Sequence, residues 1–367
     1  ACAAGRRAGG QAACILLGVA VTLTLTAIVL PLTHTLLVLM ETPPEIIDGA
    51  YDFISIIFAG LIIFLLLYMQ NCLIRALGDS KMPTILLAVT LAINVALEPI
   101  AILVLGWGIP GAALATVFSQ GIGALLFWIY IRRRVPALHT RLSDWKPNTS
   151  VLMAHLHMGL PMAFQSSVIA IGAIILQVAL NNLGALPVAA YAATQKIDAV
   201  AVMPMLSFGY AMAAYTAQNY GAQKYERIRI GVRACLKMSM AFAVGIGVLL
   251  IAFGTFFLEL FVGADAAGAA EVIAYGHTYL IVNGSCYIIL ALLLVYRNVL
   301  QGLGQSVVPT IAGAMELIMR AGAALLLCAP LGFLGACLAN PLAWIGAAIP
   351  VVIAYFWTEK TLRCAVP

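Results

Sequence analysis

Asn94 and Glu98 stand at i and i+4 in AINVALEPIAILVLGWGIPGAALAT (92–116), a stretch that is otherwise almost wholly apolar. On a helix that spacing puts the amide and the carboxylate on one face. Pro99 follows at once; having no N–H, it frees the carbonyl of Val95, one turn back, for a cation, a water or a substrate group. A carboxylate at membrane depth has to be partnered, protonated or turned toward a bundle interior. The chemistry on offer is reversible binding of a proton or small cation, against the plainer reading of a protonated side chain bonded to a neighbouring helix.

Glu316 and Arg320 repeat the i, i+4 spacing. Such a pair either pins two helices by neutralising itself or contacts a substrate or coupling ion. Lys196 and Asp198, two residues apart, cannot pair along one helix face. They are expected to join Gln165, Glu316 and Arg320 in a polar cluster, unless Lys196 merely snorkels to an interface. Tyr51, Tyr68, Met205 and Tyr210 are candidates to line a soft apolar cavity, with packing against helices or lipid as the alternative. Gly106, Gly108, Gly111, Gly159 and Gly209 are expected to allow close helix approach. The eight cysteines form no CxxC pair, and no catalytic dyad or metal cluster stands out, so neither an enzyme nor a metal site is expected.

These residues lie in elements of one kind. The chain is 63% hydrophobic and 9% charged, with a mean hydropathy of +1.06, whereas a soluble domain carries roughly 25% charged residues. Apolar runs long enough to cross a bilayer recur ten times, near 11–33, 52–75, 82–105, 108–131, 158–183, 187–216, 235–258, 274–299, 307–329 and 331–357. Alternating strand patterns are lacking, so the predicted class is an all-α polytopic membrane protein. Seventeen of the nineteen Lys and Arg fall at alternate junctions or at the ends of the chain, Arg297 among them. That bias makes this face cytoplasmic, with both ends of the chain inside. Basic residues spread over short loops do not describe a nucleic-acid surface.

The chain also repeats itself. CLIRALGDSKMPTILLAV (72–89) aligns without a gap to NVLQGLGQSVVPTIAGAM (298–315), an offset of 226 residues. GIPGAALA (108–115) aligns to GFLGACLA (332–339) after a two-residue gap. Repeated halves with a site between them are common in secondary transporters. The predicted layout is an N-terminal lobe at 1–131, a polar linker at 132–157 and a C-terminal lobe at 158–367. Residue 1 projects onto Arg227, so a twelve-span parent in two six-helix lobes is expected, with ten spans here and the first two absent.

Several stretches resemble one family, the multidrug and toxic compound extrusion (MATE) transporters. YTAQNYGAQKYERIRIGVR (215–233) is similar to its loop after the eighth helix, and IRALGDSKMP (74–83) to the loop after its fourth. GLPMAFQSS (159–167) and AATQKIDAVAVMPMLSFGYAMAAYTAQN (192–219) resemble its seventh and eighth helices. The resemblance implies an antiporter of the bacterial inner membrane, driven by H⁺ or Na⁺ and exporting amphipathic, often cationic compounds by alternating access. It further implies that Asn94, Glu98 and Thr116 form the cation site of the N-terminal lobe. Glu98 replaces the commoner Asp there, and the acid expected from the first helix has no counterpart here. The partners implied are small amphipathic substrates and the lipid bilayer, with the chain a monomer, no nucleic acid, and no cofactor beyond the coupling ion. A lipid-linked oligosaccharide flippase of the same superfamily and a transport-incompetent fragment are the alternatives.

Overall fold

Hydrocarbon offers a backbone N–H no water, so a chain this apolar has to satisfy its backbone bonds within each segment. The computed structural model describes residues 2–39, 44–139, 145, 149–262 and 268–364, and among these there are helices and no strand. In order they are α1 (Cys2–Leu39), α2 (Pro44–Ala59), α3 (Leu61–Ala76), α4 (Lys81–Pro99), α5 (Gly108–Arg134) and α6 (Thr149–Asn181). Then follow α7 (Ala185–Gly221), α8 (Tyr225–Val262), α9 (Ala269–Gly302), α10 (Val307–Leu331) and α11 (Phe333–Cys364). Among the described residues nine helices are long and apolar enough to cross a membrane, or ten if α2 and α3, bent by 49° at their junction, form one span. The chain is therefore a multi-pass membrane protein. The side chains of Arg6, Arg7, Arg141, Lys146 and Arg363, part of the basic set, lie outside the described residues.

Helices outrun the apolar runs that announced them. The 37 residues of α7 make about 55 Å of helix, against about 30 Å of hydrocarbon. The surplus continues through polar sequence, as at ERIRIGVR in α8 and RNVLQG in α9. α6 likewise starts at Thr149, within the stretch expected to be linker.

Cα packing divides the chain into two compact units, Ala1–Leu156 and His157–Pro367. The internal repeat is visible in their backbones. Gly78 closes the α3–α4 turn at φ +95° and Gly304 the α9–α10 turn at φ +82°, a left-handed region that suits glycine. Ser80 and Ser306 precede the next helix with the same φ of −101°. Thr84 and Thr310 each return a hydroxyl to the carbonyl of that serine at 2.8 Å. Both turns are latched to the last helix of their unit, by different chemistry. Asp79 accepts the Tyr130 hydroxyl of α5 at 3.0 Å, while Gln305 donates to Thr358 of α11 at 3.1 Å. The backbone N–H of Met82, helped by Tyr130 and Lys81, holds the Asp79 carboxyl below the usual carboxylate range. A lowered folded-state value favours the ionised form, so this latch is complete at neutral pH and weakens as pH falls through that value.

Gly106 and Gly108 do not serve helix packing. A side chain there would meet open space, and their φ values of +67° and +58° show that they are needed to turn the chain between α4 and α5. Gly332, the repeat partner of Gly108, has φ +57°. Gly159 also faces open space, whereas Gly111 and Gly209 do sit in close contacts.

The second unit has the larger core, and α9 runs through it. This helix packs against α7, α8 and α11 and buries Tyr279, Leu280, Tyr287, Leu293 and Leu300. It comes very close to α8, where a Cβ at Gly247 would lie 2.6 Å from the carbonyl oxygen of Gly284. Backbone against backbone leaves no flexible atom to give way. Gly247→Ala is therefore expected to cost about 1–3 kcal/mol. Thermal unfolding in detergent should show that loss, and Gly245→Ala, where nothing lies within 4 Å, should show none of it.

Candidate functional site

In the first unit the α4–α5 contact brings Asn94 to Thr116. The Asn94 amide donates to the Thr116 hydroxyl at 3.4 Å, and that hydroxyl donates to the Ala112 carbonyl at 3.0 Å. With its N–H spent in this way, Asn94 keeps its side-chain carbonyl oxygen as an acceptor. Glu98, one turn along, is half-buried and has neither a hydrogen bond nor an ion pair among the described residues. Pro99 ends the α-helix, and residues 100–104 continue as a π-helical turn. There Leu105 donates to the Ile100 carbonyl at 2.9 Å and Trp107 to the Ala101 carbonyl at 3.0 Å. The widened turn re-pairs the carbonyls after Pro99, while Val95 loses the donor it would have had from residue 99.

Beside this break lies an apolar cavity of 780 Å³, walled by Ile63, Leu97, Ala101, Trp107, Leu114 and Phe118 among others. Glu98 is not part of its wall. Tyr51, which meets His34 edge-on at 6.0 Å, and Tyr68 are exposed on the same unit.

The second unit gathers the buried charge. Glu316 accepts from two arginines, Arg320 on its own helix at 3.0 Å and Arg297 of α9 at 2.9 Å. Arg320 also reaches the Ile169 carbonyl of α6 at 3.3 Å. Gln165 of α6 accepts from Gln301 of α9 at 3.3 Å, so α6, α9 and α10 are tied by one set of polar contacts. The expected cluster thus exists in part, with different members. Lys196 is exposed and outside it. Asp198 is buried and takes its hydrogen bond from the Tyr287 hydroxyl, because α7 packs on α9 rather than on α10.

Arg297 requires a correction. Its place at the end of an apolar run put it with the cytoplasmic-face basic residues, but α9 continues to Gly302 and buries it. Among the described residues Arg297 is the buried member of that basic set. The repeat held a clue: at the 226-residue offset Arg297, Glu316 and Arg320 stand opposite Asn71, Thr90 and Asn94. Both Asn71 and Thr90 are buried, so one set of positions is polar in both units and charged in only one.

Met205 is corrected as well. It is fully buried in the core of the second unit. The neighbouring cleft on α7, of 510 Å³, is formed by Met203, Pro204, Ser207 and Phe208, and Tyr210 is exposed. Apolar content at that spacing cannot tell which side of a helix meets its neighbours. Also unforeseen was the Tyr279 hydroxyl, which accepts from Gln195 of α7 and Asn340 of α11, both at 3.0 Å.

A family model, MatE, matches residues 8–100 and 161–326. The probable multidrug resistance protein YpnP of Bacillus subtilis (strain 168) is 28% identical over 251 residues, 68% of this chain and 54% of that protein. The multidrug export protein MepA of Staphylococcus haemolyticus (strain JCSC1435) is 23% identical over 240 residues, 65% of this chain and 53% of the other. The chain spans about half the length of these curated relatives. Among solved structures, a multidrug resistance MATE family transporter of the MOP superfamily in an outward-facing conformation superposes with a TM-score of 0.87 at 20% identity, over 100% of this chain and 85% of that one. A MOP superfamily transporter from Pyrococcus furiosus, described as having a binding pocket of reverse polarity, gives 0.86 at 20% identity, over 98% and 84%. At such identity the likeness shows the fold.

The ion triad predicts its own sensitivity. Glu316→Ala strands two buried guanidinium groups and is expected to cost about 3–5 kcal/mol. Lys196→Ala, at an exposed site, should stay within about 0.5 kcal/mol. Thermal unfolding of the two variants side by side in detergent checks the contrast, and equal losses would refute the assignment.

Proposed function

The chain belongs to the MATE (MatE) transporter family, and from that premise we propose that it serves cation-coupled export of amphipathic, often cationic compounds. The coupling ion is H⁺ or Na⁺, the membrane is the bacterial inner membrane, and both ends of the chain are cytoplasmic. The names of the relatives, a multidrug resistance protein and a multidrug export protein, support the substrate class. The basic residues at alternate junctions support the orientation.

One observation carries the coupling: Glu98 is an intramembrane carboxylate with no partner among the described residues, one turn from the Asn94–Thr116 pair. An ionised carboxylate so placed is costly until a proton or cation joins it. Asn94 and Val95 each offer a carbonyl oxygen near Glu98, the first left free by Thr116 and the second by Pro99. Ion binding neutralises this face in one conformation and is released in the other. Only such a difference in affinity can move the equilibrium between inward and outward states. The lipid-linked oligosaccharide alternative calls for a basic central cavity, and both Arg297 and Arg320 are already committed to Glu316.

Ethidium or norfloxacin efflux from cells expressing the full-length protein tests the reading. Glu98→Gln is expected to abolish gradient-driven efflux, and Asn94→Ala to reduce it about tenfold or more, the loss of roughly 1.4 kcal/mol of ion binding. Efflux unchanged in Glu98→Gln would sink the coupling role.

A further inference from the structure

Four charged side chains are buried among the described residues, Asp198, Arg297, Glu316 and Arg320, and all belong to the second unit. Two acids face two arginines, but the pairing is unequal. Glu316 takes both guanidinium groups, so the triad carries a surplus positive charge. The Nε atoms of Arg297 and Arg320 are buried without an acceptor, and the Ile169 carbonyl, which takes one further Arg320 N–H, brings no negative charge to offset the surplus. Asp198 has the opposite imbalance. It receives the Tyr287 hydroxyl and has no cation within ion-pair distance among the described residues.

The two imbalances cancel when Asp198 is ionised. With Asp198 protonated, the interior of the unit keeps one uncompensated positive charge, a costly state at low dielectric. We infer that Asp198 is a proton-binding site of the second unit, its negative charge set against the surplus of the Arg297–Glu316–Arg320 triad. The helix that links them is α9, which carries both Tyr287 and Arg297. A proton arriving at Asp198 alters the α7–α9 bond and the charge balance at the α9–α10 bond together.

The groups around Asp198 leave it the one acid free to do this. On its own helix Tyr191 lies near and Lys196 is exposed. From α9 it faces Tyr279 and Tyr287, while His277 is turned to the Ile251 carbonyl of α8. α8 runs antiparallel to α7, with Cys235 opposite Phe208, and its stretch at the depth of Asp198, 240–254, holds no titratable side chain. Arg320 of α10 and Cys337 of α11 act on Tyr191 and complete the surroundings.

Trp344 of α11 packs on Tyr287 with ring centroids 6.2 Å apart, and so reports on this site. The full chain, with Trp107, Trp128, Trp145 and Trp357 changed to Phe, is placed in lipid nanodiscs, and Trp344 emission is followed from about pH 4 to 9. One transition is expected. Asp198→Asn should abolish it, while Asp198→Glu should keep a shifted one, which separates loss of the acid from loss of the fold. Arg320→Gln removes the surplus charge and should raise the midpoint by about one pH unit. Tyr287→Phe removes the donor to the ionised form and should also raise it. Absence of a transition in the parent, its survival in Asp198→Asn, or a midpoint unmoved by Arg320→Gln overturns the inference. Only the use of this proton in transport rests on the export reading. The titration needs no transport, so it stands even if Glu98→Gln leaves efflux untouched.

Discussion

A polar group at membrane depth has no water to turn to, and each part of this structure answers that constraint. Backbone groups close on themselves in helices, and where Pro99 breaks the pattern the chain re-pairs within a π-helical turn. Hydroxyls do the same on a smaller scale. Thr90, Thr194, Ser207 and Thr310 each return their hydrogen to a carbonyl three or four residues back. Charges cannot be satisfied so locally. Glu316 and its two arginines are therefore collected where several helices converge.

That convergence is on α9, and it explains the asymmetry of the two units. A common ancestry of the halves shows in matching left-handed glycines and matching serine–threonine turns. The polar positions at their centres have diverged. Asn71, Thr90 and Asn94 are neutral, and Asn71 does no more than accept from Arg75 at 2.9 Å. Their counterparts Arg297, Glu316 and Arg320 bind three helices through charge. Among the described residues, then, the first unit holds one half-buried carboxylate without a partner, and the second holds three buried charges bound to one another and a fourth, Asp198, bonded to Tyr287. A network of that kind is strong when whole and costly when broken, and so it can respond to a single proton.

Which of these features could be read from the chain follows from the range of the interaction involved. The helical class, the apolar spans and the repeat are local or periodic properties, and hydropathy and a 226-residue self-alignment reveal them. The i, i+4 pairs at Asn94–Glu98 and Glu316–Arg320 are equally local, since helix geometry alone sets each pair on one face. Arg297 was legible only as far as its position, because an apolar run stops where hydropathy changes while a helix stops where its hydrogen bonds do. Gly106 and Gly108 looked like packing residues because sequence shows the missing side chain and not the backbone angle that needs it.

The sequence by itself determined the solvent this protein lives in, the kind of its elements, its doubling and its family. Each of these depends on composition or on spacing along one helix. Tertiary structure alone decided which contacts form between helices. Asp198 could have joined Arg320 on charge grounds, and it bonds Tyr287 because α7 lies against α9. Met205 and Met203, two residues apart, go to core and cleft for the same reason. Partner choice between helices depends on how whole faces pack, and no short stretch of sequence carries that information.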